Sequence, residues 1–363
     1  MNIVAVVGAR PNFVKIAPLV WESQRRAGVD TFLVHTGQHY DEKLSRVFFD
    51  ELSIPAPNVD LGVGSGSHAV QTAEVMKRFE PVVVERQPDL VLVVGDVNST
   101  IACALTAVKV GVPVAHVEAG LRSFDERMPE EINRRLTDQI SRWLFVSEPS
   151  GLANLKREGI PDERVHLVGN VMIDTLMACR ERIDRSEVLG TLGLADRGYV
   201  LLTLHRPSNV DDRATLGGLM DAIGTIAAEL PVLFPVHPRT KARLKDAGFD
   251  VEAIAGLRCT EPLGYLDFLK LQASAKLVLT DSGGVQEETT ALGVPCLTLR
   301  ENTERPITIG EGTNQLIGSD PARLVEAARG VLRGGGAEAR RPELWDGAAA
   351  KRIFDILQRD VDG

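Results

Sequence analysis

Short runs of β-branched and apolar residues alternate with stretches of helical period along almost the whole chain. Ile3–Val7 is such a run, and after Gly8 a helical pattern of apolar residues continues to Gly28. Leu90–Val94 and Val114–Val117 are further runs of the fully buried kind, each followed by a helical stretch. This alternation predicts a parallel, doubly wound α/β sheet.

The same pattern accounts for the rest of the first half and then restarts after a looser segment, Arg185–Gly198. In the first half it predicts strands at Thr31–Thr36, Leu144–Ser147 and Val165–Val168, and helices at Asp41–Leu52, His68–Arg86 and near Val171–Asp184. In the second half it predicts strands at Tyr199–Leu204, Val232–Val236, Lys276–Thr280 and Cys296–Leu299, and helices at Asp211–Glu229, Tyr265–Ala273 and Ala322–Leu332. Two Rossmann-like halves in tandem are therefore expected.

The length of 363 residues also fits two domains rather than one ordinary core. We expect an N-terminal Rossmann-like domain at residues 1–169 and a C-terminal nucleotide-binding one at residues 170–346. A last helix at Gly347–Arg359, within residues 347–363, is expected to pack back on the first domain.

Charge and composition exclude several classes of partner. The net charge of −9 argues against a nucleic acid, although a local basic pocket for a small anion remains possible. The N-terminal apolar run is too short for a signal peptide or a membrane span, so a cytoplasmic protein with no membrane partner is expected. The four cysteines are widely separated, which favours buried, reduced thiols over zinc or disulfides.

Acidic residues cluster where predicted strands end. Glu118 follows the run Val114–Val117, and Asp96 follows Leu90–Val94 in the same way. The stretch after Glu118 interleaves further acids with arginines: Asp125, Glu126, Glu130 and Glu131 with Arg122, Arg127, Arg134 and Arg135. Ligands bind outside the carboxyl ends of strands in open α/β sheets, so these carboxylates are candidates for chemistry.

Two glycine-bearing turns between a strand and a helix are candidate phosphate sites, because the free N–H groups of a helix N-terminus favour an anion. One is Gly8–Lys15, in which Arg10 and Lys15 could supply positive charge. The other is Thr280–Glu288, in which Ser282, Gly283 and Gly284 offer donors and Glu288 suits a vicinal diol such as ribose. Gly62, Gly64 and Gly66 lack the register of a dinucleotide-binding turn and are set aside.

Each candidate also has a purely structural interpretation. Asp96 could cap a helix, and Glu130 could be a helix-start charge after Pro129. His205, at a strand end, and His237, before Pro238, could be satisfied polar residues. Asp125, Glu126 and Glu131 could pair with neighbouring arginines on the surface.

Several motifs together resemble the non-hydrolysing UDP-N-acetylglucosamine 2-epimerases. They span nearly the whole chain in the family's order: Gly8-Ala-Arg-Pro with Lys15, Thr36-Gly-Gln-His39, Gly95-Asp96 with Ser99-Thr100, His116-Val-Glu-Ala-Gly-Leu-Arg122, Pro129-Glu-Glu-Ile-Asn-Arg134, His205-Arg206, Asp281-Ser-Gly-Gly-Val-Gln-Glu-Glu288 and Thr303-Glu-Arg-Pro306. The resemblance implies two Rossmann-like domains in the GT-B arrangement with an interdomain active-site cleft, a homodimer, and neither a nicotinamide cofactor nor a metal.

The resemblance also implies a reaction and roles for residues. Expelling UDP from C1 gives a 2-acetamidoglucal, and UDP re-adds after protonation of the other face, which inverts C2. The family's catalytic carboxylates correspond to Asp96, Glu118 and Glu130, and its catalytic histidine to His205. Its substrate-binding set corresponds to Arg10, Lys15, His237, Phe268 beside the uracil, Ser282, Gly283, Gly284, Glu288 and Arg305.

Two departures from the family pattern concern the substrate. His205-Arg-Pro-Ser-Asn209 stands where many bacterial members have His-Arg-Arg-Glu-Asn, and Thr36-Gly-Gln-His-Tyr-Asp41 differs at their effector site, so activation by substrate is in doubt. The stretch Gly120–Glu131 also resembles relatives that act on UDP-2,3-diacetamido-2,3-dideoxy-glucuronic acid. That sugar is one alternative, and a GT-B UDP-sugar glycosyltransferase, a hydrolysing epimerase and a UDP-sugar sensor without turnover are others.

Overall fold

The structure, a computed structural model, describes residues 1–37, 49–335 and 340–362, except for the side chains of Arg10 and Asp362. It divides into two compact units, each with its own parallel sheet. Unit 1 comprises Met1–Ala178 with Glu343–Gly363, and unit 2 comprises Cys179–Pro342.

Unit 1 contains a seven-stranded sheet with the strand order β3-β2-β1-β4-β5-β6-β7. Its strands are β1 (Asn2–Val7), β2 (Asp30–His35), β3 (Val59–Asp60), β4 (Leu90–Val94), β5 (Val114–Ala119), β6 (Trp143–Val146) and β7 (Val165–Leu167). Its helices are α1 (Arg10–Gln24), α2 (His68–Arg86), α3 (Asn98–Lys109), α4 (Pro129–Ile140), α5 (Pro149–Arg157), α6 (Val171–Ala178) and the C-terminal α16 (Ala349–Asp362), with a 3₁₀ turn at Asp162–Arg164.

Unit 2 contains a six-stranded sheet with the strand order β10-β9-β8-β11-β12-β13. Its strands are β8 (Val200–Thr203), β9 (Val232–Pro235), β10 (Leu257–Thr260), β11 (Leu277–Thr280), β12 (Cys296–Thr298) and β13 (Asn314–Leu316). Its helices are α7 (Arg180–Asp184), α8 (Val188–Thr191), α9 (Pro207–Val210), α10 (Arg213–Ala227), α11 (Pro238–Asp246), α12 (Tyr265–Ser274), α13 (Gly283–Leu292), α14 (Ile307–Gly310) and α15 (Pro321–Leu332), with a 3₁₀ turn at Val251–Ala253.

All described strand pairs are parallel, and the central strands are buried on both faces. Burial of both faces explains why these strands read as continuous apolar runs in the sequence. The predicted α/β class with two Rossmann-like domains is confirmed. The order of the strands reverses between β1 and β4 in unit 1 and between β8 and β11 in unit 2. At such reversals the loops diverge and leave a crevice beyond the strand ends.

Three strands and one helix break were not predicted. β3, β10 and β13 are two to four residues long and mix polar with apolar residues, so they lack the apolar run that identifies a buried strand. The stretch predicted as helical near Val171–Asp184 forms two helices, α6 and α7, that are interrupted at Cys179. Most of the helix predicted at Asp41–Leu52 lies outside the described residues, and residues 49–52 are helical.

Helix α6 packs within unit 1, although residue 170 was the expected start of the second domain. Thr175 Oγ1 donates to the Val14 carbonyl in α1 at 2.6 Å. The Asp174 carboxylate accepts from the N–H groups of Ala349 and Ala350, at 3.1 and 2.7 Å, where α16 begins. These contacts join the C-terminal helix to unit 1 as well, while the exact domain limits stay a prediction.

Two further expectations concern membranes and thiols. Of the helices in residues 1–37, 49–335 and 340–362, none combines the length and apolar character that a membrane span requires. The four cysteines are free thiols, as predicted, and all except the partly exposed Cys259 are buried.

Candidate active site

Glu118 occupies an irregular position near the end of β5. The register of β5 against β6 shifts between Val117 and Ala119, and Glu118 has a φ of +76°. This left-handed conformation is uncommon for a residue with a side chain, and a bulge re-aims the side chain that it carries. Strain of this kind is found mostly at functional sites.

The Glu118 carboxylate forms a buried ion pair with Lys15 of α1. Gly95, at the end of β4, lies directly against this pair, since a Cβ there would be 3.1 Å from Lys15 Nζ and 3.2 Å from Glu118 Oε2. Gly95 also has a φ of +67°, so both its conformation and its surroundings require glycine. Because Gly95 precedes Asp96, the structure brings Lys15, Glu118 and Asp96 to the same edge of the sheet.

Asp96 is held by an arginine of α4. Arg134 donates from Nε and Nη2 to Asp96 Oδ2 at 2.9 and 2.6 Å. The same guanidinium donates from Nη1 to Glu131 at 2.7 Å. Asp96 is thus held as an anion by a largely buried cation rather than acting as a solvated helix cap.

The two neighbouring glutamates at the start of α4 differ completely. Glu131 is buried and accepts from Ser123 N, Ser123 Oγ and Phe124 N at 2.8, 2.9 and 3.1 Å, in addition to Arg134. Glu130 is half-buried, and no ion pair or hydrogen bond to it is seen within the described part of the chain. Glu131 therefore stabilises the loop before α4, whereas Glu130 has no partner among the described residues and can contact a ligand.

The loop between β5 and α4 carries Asp125 and Glu126, two further acids of the stretch that follows Glu118. Asp125 accepts from the Arg127 guanidinium, and this hydrogen bond lowers the pKa of Asp125. Glu126 forms an exposed pair with Arg135 at 3.2 Å. Both acids therefore have surface partners.

A second network of hydrogen bonds links β5, α4 and the end of β4. His116 in β5 donates from Nδ1 to Asp138 at 2.7 Å and from Nε2 to the Gly95 carbonyl at 2.8 Å. Asp138 also accepts from Arg122 and from Gly120 N, at 2.7 and 3.1 Å. Burial raises the pKa of Asp138, but hydrogen bonds and charges of His116 and Arg122 outweigh burial and lower it. This network fastens the ends of β4 and β5 to α4.

The turn after β1 packs too closely for any residue but glycine at its first position. A Cβ at Gly8 would lie 2.5 Å from Ser99 Oγ, at the start of α3. Arg10 is the first residue of α1, and its side chain lies outside the described part of the structure.

In unit 2, the turn after β11 begins α13 with Ser282 at the N-cap and Gly283 and Gly284 as its first residues. A Cβ at Gly283 would lie 2.9 Å from Glu304 Oε1 and 3.1 Å from Arg305 Nη1. Arg305 is buried and paired with Glu287 and Glu304, each at 2.8 Å. Arg305 thus packs against the turn and is held there by its two ion pairs.

Glu288 lies on the same helix, fully enclosed. Gln272 of α12 donates to Glu288 Oε2 at 2.7 Å. Burial raises the pKa of Glu288 to about 7, further raised by the adjacent Glu287 and opposed by the Gln272 hydrogen bond. Phe268 lies four residues before Gln272, so it occupies the same face of α12 and packs on the neighbouring core.

His205 follows β8 and contacts Asp281, which follows β11. The distance from His205 Nδ1 to Asp281 Oδ1 is 2.9 Å. His237, the exposed N-cap of α11, has its ring centroid 5.9 Å from that of His205. The structure thus brings the two predicted histidines together beside Asp281, the residue that precedes the turn into α13.

Sequence reasoning missed the groups that orient the candidates. Arg134 was named only as one of the arginines interleaved with the acids, yet it binds Asp96. Asp138, Asp281 and Gln272 were not singled out as partners of His116, His205 and Glu288. One signal was present, because Glu131, Arg134 and Asp138 recur at helical spacing on the buried face of α4.

Each unit therefore presents a different chemistry at its strand ends. Unit 1 offers carboxylates with and without a cation partner, which suits proton transfer. Unit 2 offers a helix N-terminus, two histidines and a buried carboxyl, which suits a nucleotide with an anionic phosphate.

This chain is similar to known proteins over almost its whole length. The family model for UDP-N-acetylglucosamine 2-epimerase matches residues 22–358. A UDP-N-acetylglucosamine 2-epimerase of Methanocaldococcus jannaschii is 42% identical over 98% of this chain and 99% of its own length. A UDP-2,3-diacetamido-2,3-dideoxy-D-glucuronate 2-epimerase of Pseudomonas aeruginosa is 39% identical, covering 94% of this chain and 98% of its own.

This chain is also similar to a solved structure of the same family. The crystal structure of the Methanocaldococcus jannaschii UDP-GlcNAc 2-epimerase in complex with UDP-GlcNAc and UDP has a TM-score of 0.91 and 40% identity, covering 99% of this chain and 100% of that one. With a family match over most of its length and relatives above 40% identity, this chain belongs to the UDP-N-acetylglucosamine 2-epimerase family.

Proposed function

We propose that the protein interconverts UDP-N-acetylglucosamine and UDP-N-acetylmannosamine by inverting C2. UDP leaves from C1 as the C2 proton is removed, a 2-acetamidoglucal forms, and UDP re-adds after C2 is protonated from the other face. The family to which the chain belongs and the UDP-GlcNAc and UDP in the Methanocaldococcus jannaschii complex support this substrate.

The observation that carries the proposal is the placement of Asp96 and Glu118 at one edge of the unit 1 sheet, with Glu130 at the start of α4, the helix whose Arg134 binds Asp96. Asp96 and Glu118 each have a cationic partner, whereas Glu130 has none among the described residues. Removing a proton from one face of C2 and delivering one to the other requires carboxyl groups in different protonation states. We assign Asp96, Glu118 and Glu130 to this proton transfer.

We assign the uridine diphosphate to the residues of unit 2, and Arg10 and Lys15, in α1 of unit 1, stay a separate candidate phosphate site. Ser282, Gly283 and Gly284 would donate to phosphate from the start of α13, braced by Arg305. Glu288 would accept from the ribose hydroxyls, and Phe268 would lie beside the uracil. His205 and His237 would face the diphosphate.

The decisive experiment is incubation of the protein with UDP-N-acetylglucosamine in D₂O. Deuterium at C2 and formation of the manno epimer are expected, and the lack of both would refute the proposal. Release of N-acetylmannosamine and UDP would indicate a hydrolysing epimerase, and binding without exchange a sensor. Faster turnover of UDP-2,3-diacetamido-2,3-dideoxy-glucuronic acid would assign the protein to the activity of its Pseudomonas aeruginosa relative.

Glu118→Gln tests the site itself. Loss of the carboxylate is expected to lower kcat by at least about 10²-fold while the Kd for UDP changes less than about threefold. Glu126→Gln is the matched control, because Glu126 forms only an exposed surface pair and should leave both constants unchanged. Retained activity in Glu118→Gln would remove Glu118 from the mechanism.

A homodimer and a cytoplasmic location also remain part of the proposal. Ile132 and Leu136 of α4 are 51% and 52% exposed one turn apart and line a cavity of about 380 Å³ with Arg135, Gln139 and Glu158. An exposed apolar strip of this kind fits a second copy of the chain. Analytical ultracentrifugation should show a dimer that Leu136→Glu weakens, and a monomeric wild-type protein would contradict it.

A further inference from the structure

The His205–Asp281 pair joins the two strands at which the order of the unit 2 sheet reverses. His205 follows β8 and Asp281 follows β11, and the two strands are hydrogen-bonded neighbours. Asp281 is fully buried, whereas the His205 side chain is 38% exposed. One member of the pair is therefore inaccessible, and the other can reach a ligand.

Asp281 is surrounded by donors. Besides His205 Nδ1, its carboxylate accepts from His205 N at 3.0 Å, Arg206 N at 2.9 Å and Asn209 Nδ2 at 3.1 Å. Burial raises the pKa of Asp281, but the hydrogen bond and charge of His205 and the backbone donors outweigh burial and lower it. The carboxylate is thus an acceptor for every contact that it makes with these groups.

An ionised acceptor beside Nδ1 determines where the imidazole carries its proton. Nδ1 must be the protonated nitrogen, so the opposite nitrogen, Nε2, presents a lone pair when the ring is neutral and an N–H when it is cationic. No protein partner of Nε2 is seen within the described residues. Among the described residues, the other titratable side chains beside the ring are His237 and Arg206, the next residue in the chain, whose guanidinium lies 3.9 Å from Glu304.

We propose that Asp281 is a positioning residue that acts through His205: it accepts from Nδ1–H and so fixes the ring with Nε2 toward the departing diphosphate, to which Nε2 donates when the ring carries its second proton. This inference rests on the proposed function, in which UDP leaves from C1. A donor that is already oriented stabilises the negative charge that develops on the β-phosphate as the C1–O bond breaks. No group of Asp281 touches the substrate in this scheme.

The first test is the tautomer of His205, measured by ¹⁵N NMR of the full-length protein at alkaline pH. The chain has seven histidines, and His205→Gln identifies the signals of His205 by their disappearance. The wild-type ring is expected to carry its proton on Nδ1, and Asp281→Asn is expected to shift it toward Nε2. A wild-type ring protonated on Nε2 would overturn the proposal without any variant of Asp281 having to fold.

The second test is a double-mutant cycle on UDP-N-acetylglucosamine turnover. Asp281→Asn is expected to lower kcat by about 10²-fold with KM changed less than about threefold. Adding Asp281→Asn to His205→Gln should cost less than about a further threefold, because the two residues act as one unit. Multiplied losses in the double variant would show that Asp281 does not act through His205 and would overturn the proposal.

Asn209→Ala is the matched control. Asn209 donates to Asp281 and to the Leu299 carbonyl, and among the described residues no hydrogen bond joins it to the His205 ring. The variant should lower Tm and leave the tautomer of His205 unchanged, whereas a changed tautomer would refute the specific role of Asp281. If the wild type shows the Nδ1–H form but no epimerisation, the proposed function fails and the pair geometry stands.

Discussion

Two histidine–aspartate pairs, His116–Asp138 between β5 and α4 of unit 1 and His205–Asp281 after β8 and β11 of unit 2, differ in how far the ring is enclosed. A third pair among the described residues, His35–Asp60, joins the ends of β2 and β3. The His116–Asp138 pair is fully buried, and both ring nitrogens of His116 donate to protein acceptors. The His205–Asp281 pair uses only Nδ1 in the contacts seen, and its ring is partly exposed. In unit 1 the pair thus joins two buried elements, whereas in unit 2 it leaves Nε2 of His205 without a partner among the described residues.

Buried carboxyls without an ion-pair partner behave differently. Asp138 and Asp281 each have a histidine partner, and both have a lowered pKa. Asp174 and Glu288 have no ion pair among the described residues, and burial raises their pKa to about 6 and about 7. A histidine partner and the hydrogen-bond donors around it, rather than depth of burial, separate the carboxyls whose pKa is lowered from those whose pKa is raised toward neutrality.

The strongest test compares Asp138→Asn with Asp281→Asn in stability. Asp138→Asn leaves the buried Arg122 and His116 without their shared anion and should lower the free energy of unfolding by about 3 to 5 kcal/mol. Asp281→Asn should cost only about 1 to 2 kcal/mol, because the His205 side chain is 38% exposed and water can replace the carboxylate beside it. Denaturant unfolding measures both, and equal losses would erase the distinction between the two pairs.

Asp174 should make the stability of unit 1 depend on pH. Because its pKa is about 6 in the folded protein and 3.8 in an ordinary aspartate, the folded state binds the proton more tightly. The stability that it contributes is present in full below about pH 4 and is lost by about pH 7, by about 3 kcal/mol in all. The difference in unfolding free energy between wild type and Asp174→Asn, measured from pH 4 to 7, should follow this curve, and a constant difference would contradict it.

Glu131 and Glu130 repeat the distinction between the two pairs on adjacent residues. Glu131→Gln weakens its hydrogen bonds to Ser123, Phe124 and Arg134 and should lower the free energy of unfolding by about 2 kcal/mol. Glu130→Gln should change stability by less than about 0.5 kcal/mol and instead abolish turnover. Thermal unfolding and kcat, measured on both variants, separate the two roles, and a shared phenotype would show that they do not differ.

The smallest expected effect concerns Glu288. If its carboxylate accepts from ribose hydroxyls, UDP should bind better as the carboxyl ionises, so affinity rises with pH through about 7 and levels above it. The change is about tenfold per pH unit below that point. Calorimetric titration with UDP from pH 6 to 8.5 measures it, and Glu288→Gln should flatten the profile. A flat wild-type profile would exclude Glu288 from ribose binding.

Much of the fold was predictable because it depends on local pattern. Buried parallel strands require apolar runs, and β1, β4, β5, β8 and β11 were all recognised from them. The candidate residues were predictable for a related reason, since a residue that follows a buried strand must lie at the sheet edge where ligands bind. Short strands such as β3 and β13 were missed because their positions depend on neighbours rather than on their own composition.

The sequence by itself therefore determined the two α/β units, the family and the residues that lie at the strand ends. Only the tertiary structure decided what each of those residues contacts. Arg134 reaches Asp96 from 38 positions away, Lys15 reaches Glu118 from 103 and Asp281 reaches His205 from 76. The partner of a histidine or a carboxyl determines whether that group can still contact a ligand. Residues so far apart in the chain leave no local sequence pattern from which the partner could be predicted.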